Sequence, residues 1–237
     1  MSFDYAQDKN NEVELTRFIL RTSTFSIRYS IFLLSTLMLL SSCKDIRKQY
    51  YENGDLKQEL SYKKGVLDGP SVWYFHHGKK MMEAIYSQGN IEGKMSRWYF
   101  NGNPESEGFY VNNLRNGKST LYFETGGKQL EQNFTNDTLN GPFIEYFPGD
   151  KIKTKGSYSM GLWEGRWEYY DDKGLLVGEG NFVKGSGILK GYYWNGRLNR
   201  VVHYVNNQKD GKETWYNENG QIVKELEFKQ DKLVNEE

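Results

Sequence analysis

Aromatic residues recur at a fixed interval through most of the chain. From residue 50 onward a tyrosine or tryptophan returns every 24 residues, with one step of 22, and a second aromatic follows each of them by 12 residues. The first column is Tyr50, Tyr74, Trp98, Tyr122, Tyr146, Tyr170, Tyr192 and Tyr216, and the second is Tyr62, Tyr86, Tyr110, Phe134, Tyr158, Phe182, Tyr204 and Phe228. A constant period of this length is typical of repeat architectures. We therefore predict eight copies of one unit over residues 46–237.

Turn residues hold fixed places in the same unit, whose places we count from Ile46 in the first copy. Glycine fills the ninth place in seven copies, and glycine, asparagine or aspartate fills the twentieth in all of them. These residues adopt positive φ at low cost. Two short runs rich in aromatic and β-branched residues lie between the turns, and Asn-Gly pairs such as Asn53-Gly54 are typical of β-hairpins. The pattern predicts about 16 strands paired as successive hairpins, and no helix, since no window has an apolar period of about 3.6 residues.

Side chains alternate across a strand, which predicts the residues that share a face. The fifteenth place is glycine at Gly108, Gly156 and Gly180, which leaves room for a neighbouring ring to lie over bare backbone. We expect the two aromatic columns to form one ring ladder, with the fourteenth-place glutamates, such as Glu131, on the opposite face. The short sixth copy lacks two residues after Gly185, in a turn, so its strands stay in phase.

Composition and charge argue against several functions. Lys+Arg and Asp+Glu both number 31, so no net charge favours nucleic acid or a bare anionic membrane surface. The three histidines lack the partners of a zinc site, and no nucleophile lies beside a recognisable base. We therefore predict a protein that is not an enzyme, with no metal, no cofactor and no nucleic-acid partner.

The segment before the repeats has the features of an export signal. Residues 31–40 form an apolar run of ten. As a helix this run would span about 15 Å, half of a bilayer core, which predicts a signal peptide rather than a transmembrane helix. The run ends in Leu40-Ser41-Ser42-Cys43, which resembles the bacterial lipobox. The resemblance implies a signal peptide over residues 1–42, lipid attachment at Cys43 and a lipidated tether over residues 43–45.

The leader ahead of the apolar run is unusually long and acidic for a signal peptide, because it carries Asp4, Asp8, Glu12 and Glu14. It is either an extension from a misassigned start codon or a genuine long leader. We favour the first interpretation.

The repeat itself resembles the MORN repeat in its variant form of about 24 residues. The resemblance is carried by the aromatic pair and turn of Tyr50-Tyr51-Glu52-Asn53-Gly54, by the glutamate and tyrosine columns, and by Leu67-Asp68-Gly69. It covers residues 46–237 and implies an all-β fold, an elongated single-layer antiparallel sheet of stacked hairpins with a groove lined by rings. Departures are Gly149 out of phase, the short sixth unit, and Lys155 and Val201 in place of glutamate, which predict altered curvature near units five to seven.

The leading functional hypothesis is a lipid-anchored scaffold of the cell envelope, in the outer membrane of a diderm bacterium. It would bind a protein, with a glycan as the alternative ligand, through rings beside the two columns. The candidate binding residues are Trp73, Phe75, Tyr99, Phe123, Phe147, Tyr193 and Trp215. Two alternatives remain: an antitoxin-like protein, a grouping given to similar bacterial proteins, and a passive structural spacer.

We expect a monomer. Residues 224–229 alternate charged and apolar side chains, and as an edge strand they would discourage end-to-end pairing.

Overall fold

The computed structural model describes residues 44–236, so Cys43 and the predicted signal peptide lie outside the described residues. Seventeen β-strands make up the described part, together with one short 3-10 turn at His76–Gly78. The strands are β1 Asp45–Tyr50, β2 Leu56–Lys63, β3 Val66–Tyr74, β4 Lys80–Ser87, β5 Asn90–Trp98, β6 Pro104–Val111, β7 Leu114–Tyr122, β8 Lys128–Thr135, β9 Thr138–Phe147, β10 Lys151–Ser159, β11 Leu162–Tyr170, β12 Leu176–Val183, β13 Ser186–Tyr192, β14 Leu198–Val205, β15 Gln208–Tyr216, β16 Ile222–Lys229 and β17 Lys232–Glu236. The predicted all-β fold is confirmed.

Each strand pairs antiparallel with the next one along the chain, so the sheet is a single meander of hairpins. The count exceeds the predicted 16 by one strand, β17, which covers part of β16. Residues 224–229 belong to β16 and are therefore not the edge strand that the sequence analysis assumed. Their alternating charges therefore do not protect an exposed edge of the sheet.

Two kinds of turn alternate along the array. The turns at the nineteenth and twentieth places join strands through two residues that both have positive φ, as Asn112 (49°) and Asn113 (69°) do. This is a type I′ hairpin turn, whose twist matches that of the strands. The turns that follow the fifth-place aromatics are longer; in the first, Gly54 (φ 89°) donates to the Tyr51 carbonyl at 3.0 Å.

The type I′ turns are also bonded to one another from copy to copy. The Asn113 N–H donates to the Ile91 carbonyl at 3.1 Å, and the Ile91 N–H donates back to Asn113 Oδ1 at 2.7 Å. Asp137 and Arg115 repeat this reciprocal pair at 2.9 and 3.0 Å. A carboxamide or carboxylate at the twentieth place therefore adds a side-chain bond between neighbouring copies. Glycine at this place makes only the backbone bond, as Gly89 does to the Leu67 carbonyl at 2.8 Å.

The first aromatic column shares a face with the fourteenth-place glutamates, which corrects the predicted arrangement. Tyr146 donates its hydroxyl to Glu131 at 2.7 Å, and Tyr192 donates to Glu179 at 2.9 Å. We name this surface, which carries these four side chains and their equivalents, the acid face.

The second column lies on the other surface, so the two columns do not form one ladder. Trp73 points away from its chain neighbour Tyr74 and packs against Tyr86 of the second column, with ring centroids 6.3 Å apart. The face of one column could not be deduced from the face of the other by counting residues. The pairing register shifts at bulges between them, such as the one between Trp73 and Tyr74. We name this second surface the ring face.

An aromatic cluster packs on the ring face of the fifth to seventh copies. Trp167 is its centre, with 2% of its surface exposed and its Nε1 donating to the Ser157 carbonyl at 3.1 Å. A Cβ on Gly156 would lie 2.2 Å from the Trp167 ring, so the predicted use of fifteenth-place glycine to admit a ring is confirmed here. The other members are Phe143, Tyr158, Trp163, Tyr169, Phe182 and Tyr204.

The sheet curves sharply toward the ring face within this cluster. Trp163 in β11 and Tyr204 in β14 have ring centroids 5.1 Å apart, although three strand spacings would separate them by about 14 Å in a flat sheet. Asn207 Oδ1 accepts from the Trp163 N–H at 2.9 Å, and Asn207 Nδ2 donates to the Gly161 carbonyl at 3.0 Å. The short sixth copy thus lets Asn207 reach past one hairpin. This is the segment for which the sequence predicts altered curvature.

Candidate functional site

All seven predicted binding residues are partly buried, and they do not form one exposed row. Trp73 and Trp215 lie in the strands on the ring face, where Trp215 stacks under the Arg200 guanidinium at 4.4 Å. The other five stand at the sixth place, at the start of the longer turns: Phe75, Tyr99, Phe123, Phe147 and Tyr193. Their role in binding stays a prediction.

Tyrosines at the sixth place link neighbouring copies through their hydroxyls. Tyr99 donates to the Tyr122 carbonyl at 2.9 Å, and Tyr193 donates to the Tyr216 carbonyl at 2.6 Å. These hydroxyls are engaged within the array, so only part of each ring remains available to a ligand.

The seventh place covers the sixth place of the preceding copy. The His76 ring stacks on Tyr51 at 3.8 Å, and Phe100 packs edge-on against Phe75 at 5.5 Å. These two aromatic side chains at the seventh place therefore stand at the tips of the longer turns, each supported by a ring of the preceding copy.

Trp194 departs from this arrangement, and the sequence analysis missed it. It occupies a seventh place and is 76% exposed, the highest value among the exposed large hydrophobic side chains. The preceding copy offers Asp171 rather than a ring, and Asp171 Oδ1 accepts from the backbone N–H groups of Lys173 and Leu175 in its own turn. No aromatic contact supports Trp194 within residues 44–236. The sequence does contain an indication of this exposure: an aromatic at the seventh place of one copy, with an aspartate at the sixth place of the copy before it.

Ion pairs cover the acid face, and they follow the repeat. Lys94 contacts Glu107 at 2.8 Å and Lys118 contacts Glu131 at 2.6 Å, in each case a first-place cation with the fourteenth-place acid. Burial would raise the pKa of Glu131, but hydrogen bonds from Lys118, Lys128 and Tyr146 outweigh it and lower that pKa to about 2. Glu131 therefore stays ionised and holds its strand to the neighbouring one.

The departure at Lys155 is compensated by a reversal of charge. Lys155 Nζ lies 2.6 Å from Glu168, which occupies the third place of the next copy. This pair joins β10 to β11, with the cation at the fourteenth place and the acid in the next copy.

A depression on the acid face crosses β11 to β13. Arg166 donates to Glu179 at 2.9 Å on one side of it, and Tyr192 donates to the same carboxylate. Lys190 lies directly opposite Glu179 across the pairing of β12 with β13. The lining residues are Arg166, Glu179, Gly180, Asn181, Gly187, Ile188 and Lys190.

The seventh and eighth copies carry a charged cluster on the ring face. Glu213 is 2% exposed, and its carboxylate contacts Arg200 at 2.6 Å and Lys209 at 2.7 Å. Strand β14 carries Val201 instead of glutamate on the acid face, whereas Glu213 lies on the opposite surface. This buried carboxylate was not predicted from the sequence.

Residues 44–236 contain no group of three or more side chains suited to bind a metal ion. The same part of the chain has no helix that is long and apolar enough to span a membrane.

A single open sheet of bonded hairpins, with its turn columns and two chemically distinct faces, defines a β-sheet repeat protein. The family model described as MORN repeat variant matches this chain at residues 46–64, 91–112 and 209–230. The chain therefore carries MORN repeats of the variant form, and the resemblance seen in the sequence is confirmed. No curated protein matches the chain.

Proposed function

We propose that this protein is a lipid-anchored scaffold of the cell envelope that binds another protein through its repeat array and catalyses no reaction. The repeat architecture supports a binding scaffold, because stacked copies present a large surface without enclosing a reaction site. Lipid attachment at Cys43, the outer-membrane location and the monomeric state belong to the proposal.

Trp194 is the observation that carries the binding role. An indole that is 76% exposed at a turn tip gains stability from burial in a partner, and tryptophan is enriched among the residues that dominate interface energies. Trp73 and Trp215 remain candidates but are partly buried in the array.

The binding role is tested by capture from envelope extracts with the purified full-length protein. We expect Trp194→Ala to reduce capture of a specific partner by about tenfold, the size of a moderate hot spot. Phe100→Ala is the matched control, because Phe100 stands at the same place of another copy but packs against Phe75. Equal capture by the Trp194 variant and the wild type would remove Trp194 from the interface.

The anchor is tested separately by metabolic labelling with an alkyne fatty acid. We expect label on the wild type and none on Cys43→Ser, which should also leave the membrane fraction. A peptide from residues 1–42 in the mature membrane-bound protein would contradict cleavage before Cys43.

A passive spacer is the second candidate, supported by the bonds between copies at both turn edges. For a spacer, removal of the third copy, residues 94–117, would shorten the array and leave the cellular phenotype otherwise unchanged. A binding scaffold predicts different losses for different copies. The antitoxin-like alternative stays a prediction.

A further inference from the structure

Lys190 is an exception among the first- and third-place cations of the acid face. Lys48 pairs with Glu59 at 3.0 Å and Lys212 pairs with Glu225 at 3.2 Å, as do the cations of the third to sixth copies described above. Lys190 is exposed and has no ion pair within residues 44–236. A lysine ammonium without an acid partner can bind an acidic group from outside the chain.

The two cross-strand neighbours of Lys190 explain why it is unpaired. Glu179 lies opposite it in β12, but that carboxylate already accepts from Arg166 and Tyr192. Val201 lies opposite it in β14, at the fourteenth place where most copies have glutamate. In the first copy, the same two places hold Lys48 and Glu59, which form an ion pair.

The surroundings of Lys190 combine this charge with aliphatic surface. Ile188, which lines the same depression, is 42% exposed, and Val201 shares the face because it is directly paired with Lys190. The amide of Asn181 lies opposite Ile188 and adds hydrogen-bonding capacity. A ligand that fits carries a carboxylate beside an aliphatic group.

We propose that this depression binds an acidic segment of a partner protein, with a glutamate or aspartate side chain on Lys190 and a neighbouring aliphatic side chain on Ile188 and Val201. The proposal rests on the proposed function and specifies the site and the partner's chemistry. The lining favours a peptide over an acidic glycan, because Ile188 supplies aliphatic surface and none of the lining side chains is an aromatic ring on which a sugar could stack. It disfavours nucleic acid, because one unpaired lysine cannot follow a phosphate backbone.

The test uses the purified full-length protein in detergent and a fluorescent peptide of glutamate and leucine residues, read by anisotropy. A peptide with glutamine in place of glutamate is the control ligand. We expect the acidic peptide to bind at least fivefold more tightly than the control, and this preference to disappear in Lys190→Gln. Lys63→Gln, at an exposed lysine of the first copy, should retain the preference.

The decisive variant is Val201→Glu, which restores the residue typical of the repeat and gives Lys190 an internal partner. It should abolish the preference, whereas Val201→Gln, of the same size but uncharged, should keep it. Unchanged thermal melting of both variants shows that the fold is intact. Equal binding of the two peptides to the wild type, or an undiminished preference in Val201→Glu, would overturn the proposal.

Polygalacturonate provides the glycan arm of the experiment. Binding of polygalacturonate that Val201→Glu abolishes, without binding of the acidic peptide, would assign the site to an acidic glycan and overturn the peptide assignment. Failure of both probes, while Trp194-dependent capture persists, would refute this site and leave the proposed scaffold function standing.

Discussion

Replacing Gly156 by alanine tests whether close packing in the aromatic cluster stabilises the array. The new Cβ would lie 2.2 Å from Trp167, and the ring cannot move freely because it is buried and bonded to the Ser157 carbonyl. Overpacking of this kind costs about 2–3 kcal/mol. For a folded unit of about 150–250 residues we expect the melting temperature to fall by about 5–10 °C.

Thermal unfolding followed by far-UV circular dichroism measures this effect, and Gly191→Ala is the matched control. Gly191 also has an ordinary negative φ, but a Cβ there would meet its nearest atom, on Arg200, at 3.5 Å, an ordinary contact. We expect Gly191→Ala to be neutral or to stabilise by about 0.5 kcal/mol. In a Trp167→Leu background, Gly156→Ala should lose most of its effect. The reasoning is refuted if Gly156→Ala melts at the temperature of Gly191→Ala.

Three further predictions concern polar groups. The lowered pKa of Glu131 means that its ionised form stabilises the fold above about pH 4.5 and that this contribution is lost as the pH falls toward 2; melting curves should show wild type and Glu131→Gln converging over that range. Glu213→Ala should destabilise by about 3–5 kcal/mol because it leaves two partly buried cations unpaired, whereas Glu107→Ala, at an exposed pair, should cost less than about 1 kcal/mol in the same denaturant titration. Tyr99→Phe should cost about 1 kcal/mol through loss of its bond to the Tyr122 carbonyl, and an unchanged midpoint would show that this link between copies contributes nothing.

The sequence predicted the repeat, the strands and the turns because each depends on local chemistry that recurs in every copy. Gly156 could be assigned to ring packing from the sequence for the same reason. The two aromatic columns could not be assigned to their faces, since a bulge such as the one between Trp73 and Tyr74 changes the register but does not alter the aromatic period.

The candidate site was harder to predict than the fold because it depends on what a copy lacks. Trp194 is exposed where Asp171 stands in place of a supporting ring in the preceding copy. Lys190 is unpaired because Val201 replaces glutamate on one side and Glu179 is already engaged on the other. Such consequences cross from one copy to the next, and they become visible only when the strand pairing is known.

The reversed ion pair in the middle of the array bears on how the chain finds its correct pairing. A strand in an array of near-identical hairpins can pair in the correct register with a strand of the wrong copy, because the ring and glycine columns of all copies fit almost equally well. If β10 skipped one hairpin and paired with β13, Lys155 would face Lys190, and if β8 skipped to β11, Glu131 would face Glu168. Both errors place like charges directly opposite each other, which is unfavourable. The exchange of Lys155 and Glu168 therefore lets a folding strand distinguish its correct neighbour from the equivalent strand of the next copy.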